Sequence, residues 1–349
     1  MLLGIFMEQY VNILEKKNNF EKIRNVETEC VIGDARILDS VQLTICVPTF
    51  HRTDTLKETI DSLLHLNDST ISYCILVLDN DPDEAIKDTY NLLYSYNDKR
   101  LLYFRNKQNI GMFNNWNRCF ELCKSEYVAM LHDDDLLKSD YLNFLEHIFP
   151  KIQKNNIACV CFPYDRLISL ISKNHSPVSK NNLKEAIRNL VVRLQYKKLT
   201  AITNTIVYLM GGNTFAMPTC GILFNRNKVI ESGGFNDERF PTADFEFLMY
   251  LMENYKLCYA HHSIGIYRWA CNESLKPETV KRSFVNQLQC IGFLENKYKY
   301  LRLLFGTKIM KAKIDEHENK YSNSITIFNL IRKVIYYVCF LSDSRDIMG

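Results

Sequence analysis

The stretch Tyr127-Val128-Ala129-Met130-Leu131-His132-Asp133-Asp134-Asp135-Leu136-Leu137 decides how the rest of the chain is read. Its first five residues are an unbroken apolar run, the pattern of a strand buried on both faces. Three carboxylates follow. Adjacent anions repel, and a folded chain keeps them together through solvation, through lysine or arginine partners, or through a divalent cation. Open α/β sheets bind ligands outside the carboxyl ends of their strands, which is where this cluster falls. Hard oxygen ligands suit magnesium or manganese, ions that share their coordination shell with phosphates. The competing reading is an acidic strand-to-helix turn, with Asp134 or Asp135 near the start of the next helix.

Toward the N-terminus the same pattern of strand and polar turn repeats. Leu43 to Val47 reads as a strand ended by Pro48, with Thr49-Phe50-His51-Arg52 as the turn. Leu56, Ile60, Leu63 and Leu64 mark one face of a helix, with Thr53 or Thr55 as its cap and Thr55 and Glu58 at capping-box spacing. A second strand, Tyr73 to Leu78, ends in Asp79-Asn80-Asp81-Pro82, before a helix expected over 83–96. A third, Leu101 to Phe104, runs into Arg105 and on to Asn109-Ile110-Gly111, before a helix expected over about 113–123. Four strand–helix units with apolar strands predict an α/β fold: a mainly parallel sheet with helices on both faces. Polar residues collect at four strand ends, as a nucleotide site in an open sheet requires: Thr49 and Arg52, Asp79 and Asp81, Arg105 and Asn109, and Asp133 to Asp135. Neither GxGxxG nor GxxxxGK[ST] occurs, so any phosphate falls to a metal or to basic side chains.

Toward the C-terminus, Tyr141, Leu142, Leu145, Ile148 and Phe149 predict an amphipathic helix, and Ile157 to Phe162 a fifth strand. Residues 165–200 are polar and basic and read as an insertion. Ile222 to Phe224 is a further strand, followed by a turn at Gly233-Gly234. The helix opening at Thr242-Ala243-Asp244 leaves two readings of Asp244: an N-cap, or a general base held at a helix start. Short strands are expected over 257–260 and 264–268, with Arg268 able to clamp a phosphate. The region from Pro277 is helical in pattern. Ile327, Leu330, Ile331, Val334, Val338 and Leu341 form one apolar stripe, too short and too interrupted to span a bilayer. That stripe is expected to dock on the domain or to lie on a membrane surface. The expected division is an N-terminal extension (1–40), a domain (41–275, with a nucleotide-binding half 41–137 and an acceptor half 138–275), and a helical region (276–349).

Hydrophobic content of 47% and charged content of 24% over 349 residues describe a globular chain with ample core. A formal charge of +3, without a lysine- or arginine-rich run, argues against a nucleic-acid partner. Twelve cysteines lie mostly in apolar runs, without paired zinc spacing, and Met1 to Phe6, lacking a basic n-region and a cleavage site, is not expected to act as a signal peptide. They predict a reducing, cytoplasmic setting. Cys159 and Cys161 are expected to point to opposite faces of their strand.

Taken together, Thr44 to Arg52, Leu76 to Asn80, Asn109-Ile110-Gly111 with Asn114-Asn115, Leu131 to Asp135, Gly233-Gly234-Phe235 and Ala243 to Glu246 resemble the family 2 glycosyltransferases of GT-A fold, especially bacterial enzymes of surface-polysaccharide synthesis. The resemblance spans about residues 43–275. It implies that Pro48, Thr49 and Arg52 line a nucleotide pocket, that Asp79 bonds the base, and that Gly111 and Asn115 approach base or ribose. It further implies Asp133 near the ribose, Asp134 on Mn2+ or Mg2+, Asp135 supporting sugar or metal, Asp244 as general base and Arg268 near the diphosphate. The implied reaction is inverting transfer from a nucleotide-sugar, most often a UDP-sugar, to a glycan or lipid-linked glycan hydroxyl at the inner face of the membrane. Three positions depart from the family pattern: His132, Ala243, and Trp269-Ala270. His132 is expected to stand aside from the metal. The rival readings are a metal-dependent nucleotidyltransferase and a silent nucleotide- or sugar-binding scaffold.

Overall fold

A computed structural model describes residues 12, 15–83, 87–168, 220–260, 262–269 and 276–297. The stripe over 325–341, the 165–200 insertion beyond Ile168 and Trp269's neighbour Ala270 lie outside the described residues.

The described strands are β1 (Thr28–Ile32), β2 (Leu43–Thr49), β3 (Tyr73–Asp79), β4 (Leu101–Asn106), β5 (Tyr127–Met130), β6 (Leu136–Leu137), β7 (Ile157–Cys161), β8 (Tyr164–Ile168), β9 (Ile222–Asn225), β10 (Lys256–Tyr259) and β11 (Gly265–Trp269). The helices are α1 (Thr53–Leu64), α2 (Asp88–Tyr96), α3 (Met112–Leu122), α4 (Tyr141–Lys154), α5 (Arg226–Glu231), α6 (Ala243–Asn254) and α7 (Pro277–Lys297). The main sheet runs β1-β4-β3-β2-β5-β9-β7-β10, and a small sheet runs β6-β11-β8. As expected, β4, β3, β2 and β5 are parallel neighbours. β9 is antiparallel to both β5 and β7, and β1 is antiparallel to β4 at the edge.

Alternation along these strands feeds two cores. Cys46, Leu76, Leu102 and Met130 face α3 and α6, meeting Phe113, Phe120 and Leu248. Ile45, Val47, Ile75 and Ala129 face α1 and α4, meeting Leu56, Ile60, Tyr141 and Leu145. Each of those large apolar side chains contributes about 2 kcal/mol by leaving water. Cys159 and Cys161 face the same core, with sulfurs 3.9 Å apart, because residues two apart share a strand face. The expectation of opposite faces is corrected.

Local signals differ in three further places. Pro48 does not end its strand, since Pro48 and Thr49 still pair with Leu78 and Asp79. Cys46 accepts from the Leu131 N–H, so alternation turns Pro48 toward β5 as well, past the point where the β2–β5 register stops at Cys46 and Met130. The missing N–H costs no ladder bond there. The Thr55–Glu58 capping box is not formed; Thr55 donates to the Arg52 carbonyl and Glu58 pairs with Arg268. Asp244 is not the N-cap of α6, a position that Thr242 holds.

The segment expected as an extension is joined to the domain in its described part. β1 adds an edge strand, and a 3-10 turn at Asn19–Ile23 docks below α3. Asn19 donates its backbone N–H (2.9 Å) and its side-chain amide (3.1 Å) to the Gly233 carbonyl. Gly233 has φ +85°, and a Cβ there would lie 1.9 Å from the Lys17 carbonyl oxygen, so this crossing requires glycine.

Candidate functional site

Register fixes the floor of the site. Thr49, Asp79 and Arg105 are aligned across β2, β3 and β4, so three of the four polar strand ends reach the same edge of the sheet. β5 stops at Met130, and the aspartates follow in the turn before β6.

The three aspartates face different partners. Asp133 accepts from the Thr49 hydroxyl (2.7 Å) and from Arg52 (3.4 Å). Burial pushes its pKa up to about 6, against the pull of Arg52 and Thr49. Asp134 takes the shorter Arg52 bond, 2.7 Å. Asp135 is fully buried, and one carboxylate oxygen accepts from the Arg268 N–H at 3.0 Å. Its Oδ2 lacks a hydrogen bond among the described residues, with His132 Nδ1 at 3.9 Å. Burial, reinforced by the Asp134 charge, pushes the Asp135 carboxyl up to about 8. A buried carboxylate oxygen without a hydrogen-bond donor is suited to receive a positive partner.

The chemistry of this corner suits a cation. Ligand atoms of His132, Asp134 and Asp135 all lie within 4.8 Å of one another. His132 was expected to stand aside; its Nδ1 is 3.9 Å from Asp135 Oδ2, and its ring rests 5.0 Å from that of Trp116. Burial holds its pKa below the usual imidazole value, which favours the neutral, metal-binding form. A mixed nitrogen and carboxylate set suits manganese, or magnesium less well.

A cavity of about 530 Å³ opens above the floor. Pro48, Thr49, Arg52, Asn115, Asp133, Asp134 and Asp244 line it, so seven sequence-predicted residues from four distant segments meet. Asp79, Gly111, Asp135 and Arg268 are not among the lining residues. Asp79 is 2% exposed, and its oxygens accept from Tyr103 OH (2.9 Å) and the Asp81 N–H (3.0 Å). Gly111 shapes the turn instead: at φ +84° it accepts from Asn80 and from the Asn115 N–H. The Asn115 amide ties Asn106 (2.8 Å) to the Leu78 carbonyl (3.1 Å), bracing two strand ends. Arg268 donates Nε to the Asp134 carbonyl at 2.9 Å and holds the aspartate turn in place.

Asp244 lines the same cavity from the first turn of α6. Burial pushes its carboxyl up to about 6, partly offset by the Phe245 N–H, which donates to Oδ1 at 2.8 Å. That value suits a base that is anionic at neutral pH yet still basic. Just before it, Arg239 grips Glu246 with Nε 2.9 and 2.8 Å from the two carboxylate oxygens. Trp116, Phe240, Tyr267, Thr279 and Ser283 also line the cavity and were not anticipated. The scarcity of tryptophan was a usable signal for Trp116. Nothing in the local pattern of the others marked them.

Residues 44–217, about half of the chain, match the model of the family described as glycosyl transferase family 2. An uncharacterized protein of Mycobacterium tuberculosis is 21% identical over 76% of this chain and 80% of its own length. A dolichyl-phosphate beta-glucosyltransferase of Dictyostelium discoideum is 24% identical over 44% of this chain and 50% of its own. Among solved structures, S. aureus TarS in complex with UDP superposes with a TM-score of 0.51 at 14% identity, over 81% of this chain and 73% of that one. That likeness is one of fold.

Proposed function

Because the chain belongs to the family 2 glycosyltransferases, we propose that it moves a sugar from a nucleotide-diphosphate sugar to a hydroxyl of a glycan or lipid-linked glycan acceptor, inverting the anomeric centre. One observation carries this reading: a single cavity is lined at once by Asp134 of the cation cluster and by Asp244. UDP on the structurally similar TarS supports a uridine donor.

His132, Asp134 and Asp135 would hold a manganese or magnesium ion, which neutralises charge on the departing nucleoside diphosphate. Arg52 already lies on Asp133 and Asp134, so its guanidinium is placed to pair with phosphate oxygens that share that corner. Asp244 accepts the acceptor hydroxyl's proton. The acceptor oxygen then bonds the anomeric carbon as the bond to the diphosphate breaks on the other face.

The test is a thermal-shift screen of nucleotide-sugars with and without manganese, followed by a nucleoside-diphosphate release assay on each hit. Metal-dependent stabilisation by UDP-sugars, with release that rises when acceptor is added, is expected. Stabilisation by no nucleotide-sugar would contradict the reading.

A further inference from the structure

Helix α7 begins after the region matched by the family model, and its inward face is unusual. Thr279, Ser283, Asn286, Cys290 and Phe293 follow at spacings of four, three, four and three, so they share one side. A helix that packs on a core shows an apolar stripe there. In α7 the stripe is polar for its first three turns and becomes apolar only at Cys290 and Phe293, which join the core. Thr279 and Asn286 are nonetheless buried, at 6% and 7% exposure. Thr279 and Ser283 line the same cavity as Asp244.

The helix is also keyed to the loop that carries Asp244. The Asn286 amide donates to the carbonyls of Arg239 (3.1 Å) and Phe240 (3.3 Å) and to the Thr242 hydroxyl (3.0 Å). Arg239, held on Glu246, donates onward to Gln289 at 2.9 Å. One helix therefore sets both the position of the loop before the base and the hydroxyls beside it.

We propose that the first three turns of α7 form the acceptor subsite, with Thr279 and Ser283 bonding ring hydroxyls of a sugar acceptor and Asn286 acting as a positioning residue. The proposal rests on the transferase reading for the identity of the ligand as acceptor. A buried polar helix face with two hydroxyls suits a hydroxyl-rich pyranoside, whose own hydroxyls both donate and accept.

Methyl β-glycosides of glucose, galactose and N-acetylglucosamine serve as probes, added to the full chain with UDP and manganese and followed by saturation-transfer NMR. At least one glycoside should bind the wild type. Thr279→Val with Ser283→Ala should weaken it about fivefold or more, the loss of one to two hydrogen bonds, with UDP affinity unchanged. Thr279→Ser, which keeps the hydroxyl, should bind as the wild type does. Equal glycoside binding by the double variant, or binding of no glycoside to the wild type, overturns the proposal. Glycoside binding through α7 by a chain that consumes no nucleotide-sugar would contradict the transfer reading alone.

Discussion

Asp135 and Asp244 are both aspartates whose carboxyls burial raises, to about 8 and about 6, but the consequences differ. In its proposed role as base Asp244 must be an anion, so kcat/KM should fall about tenfold per pH unit below about 6 and level off above it. Asp244→Asn should lower kcat by about a hundredfold or more and leave UDP affinity intact, which calorimetry and a rate assay on the same protein would check. For Asp135 the folded-state value lies above the unfolded one, about 4. The protonated form is therefore favoured by folding, and its stabilisation is complete below about pH 4 and lost as pH rises toward 8. Metal-free Asp135→Asn should melt several degrees above metal-free wild type at pH 8, with the gap closing at low pH, as differential scanning calorimetry would show. The sequence displayed the three carboxylates but not their aim. Asp133 turns to Thr49 and Arg52, while His132 joins Asp134 and Asp135, because the turn geometry between β5 and β6 decides which way each side chain leaves.

At the scale of elements, the parallel strands were legible because each is an apolar run followed by a polar turn and an amphipathic helix. β9 was legible as a strand but not in direction, since an apolar run has no arrow; it pairs antiparallel with both β5 and β7. β1 escaped notice because its apolar part, Cys30-Val31-Ile32, is short and follows the polar Thr28 and Glu29. β6 has only two residues and gains meaning from its pairing with β11. The Gly233-Gly234 turn was visible as a turn, but its reason was not: it lets the N-terminal segment cross within hydrogen-bond distance. Gly233→Ala should destabilise the domain by about 2 kcal/mol or more, from left-handed backbone strain plus the clash with Lys17. Urea denaturation measures it; a midpoint unchanged from wild type would mean that the segment is not docked there.

At the scale of the molecule, the cavity draws on the segments around Thr49, Asp133, Asn115, Asp244 and Tyr267, with Thr279 and Ser283 of α7. Strand-end convergence made the first two groups readable as one site, and the family resemblance added Asp244 to it. The contribution of α7 was not readable, because its polar inward face looks in sequence like an ordinary solvated helix. The proposed transfer depends on the His132–Asp134–Asp135 corner binding a cation together with a nucleoside diphosphate. Calorimetric titration of UDP into wild type and Asp134→Ala, with and without manganese, tests this most directly. Manganese should tighten UDP binding to the wild type by about tenfold or more, as expected when a metal shares phosphate oxygens, and should have no effect on Asp134→Ala. Equal manganese dependence in both proteins, or no UDP binding to the wild type under either condition, would contradict it.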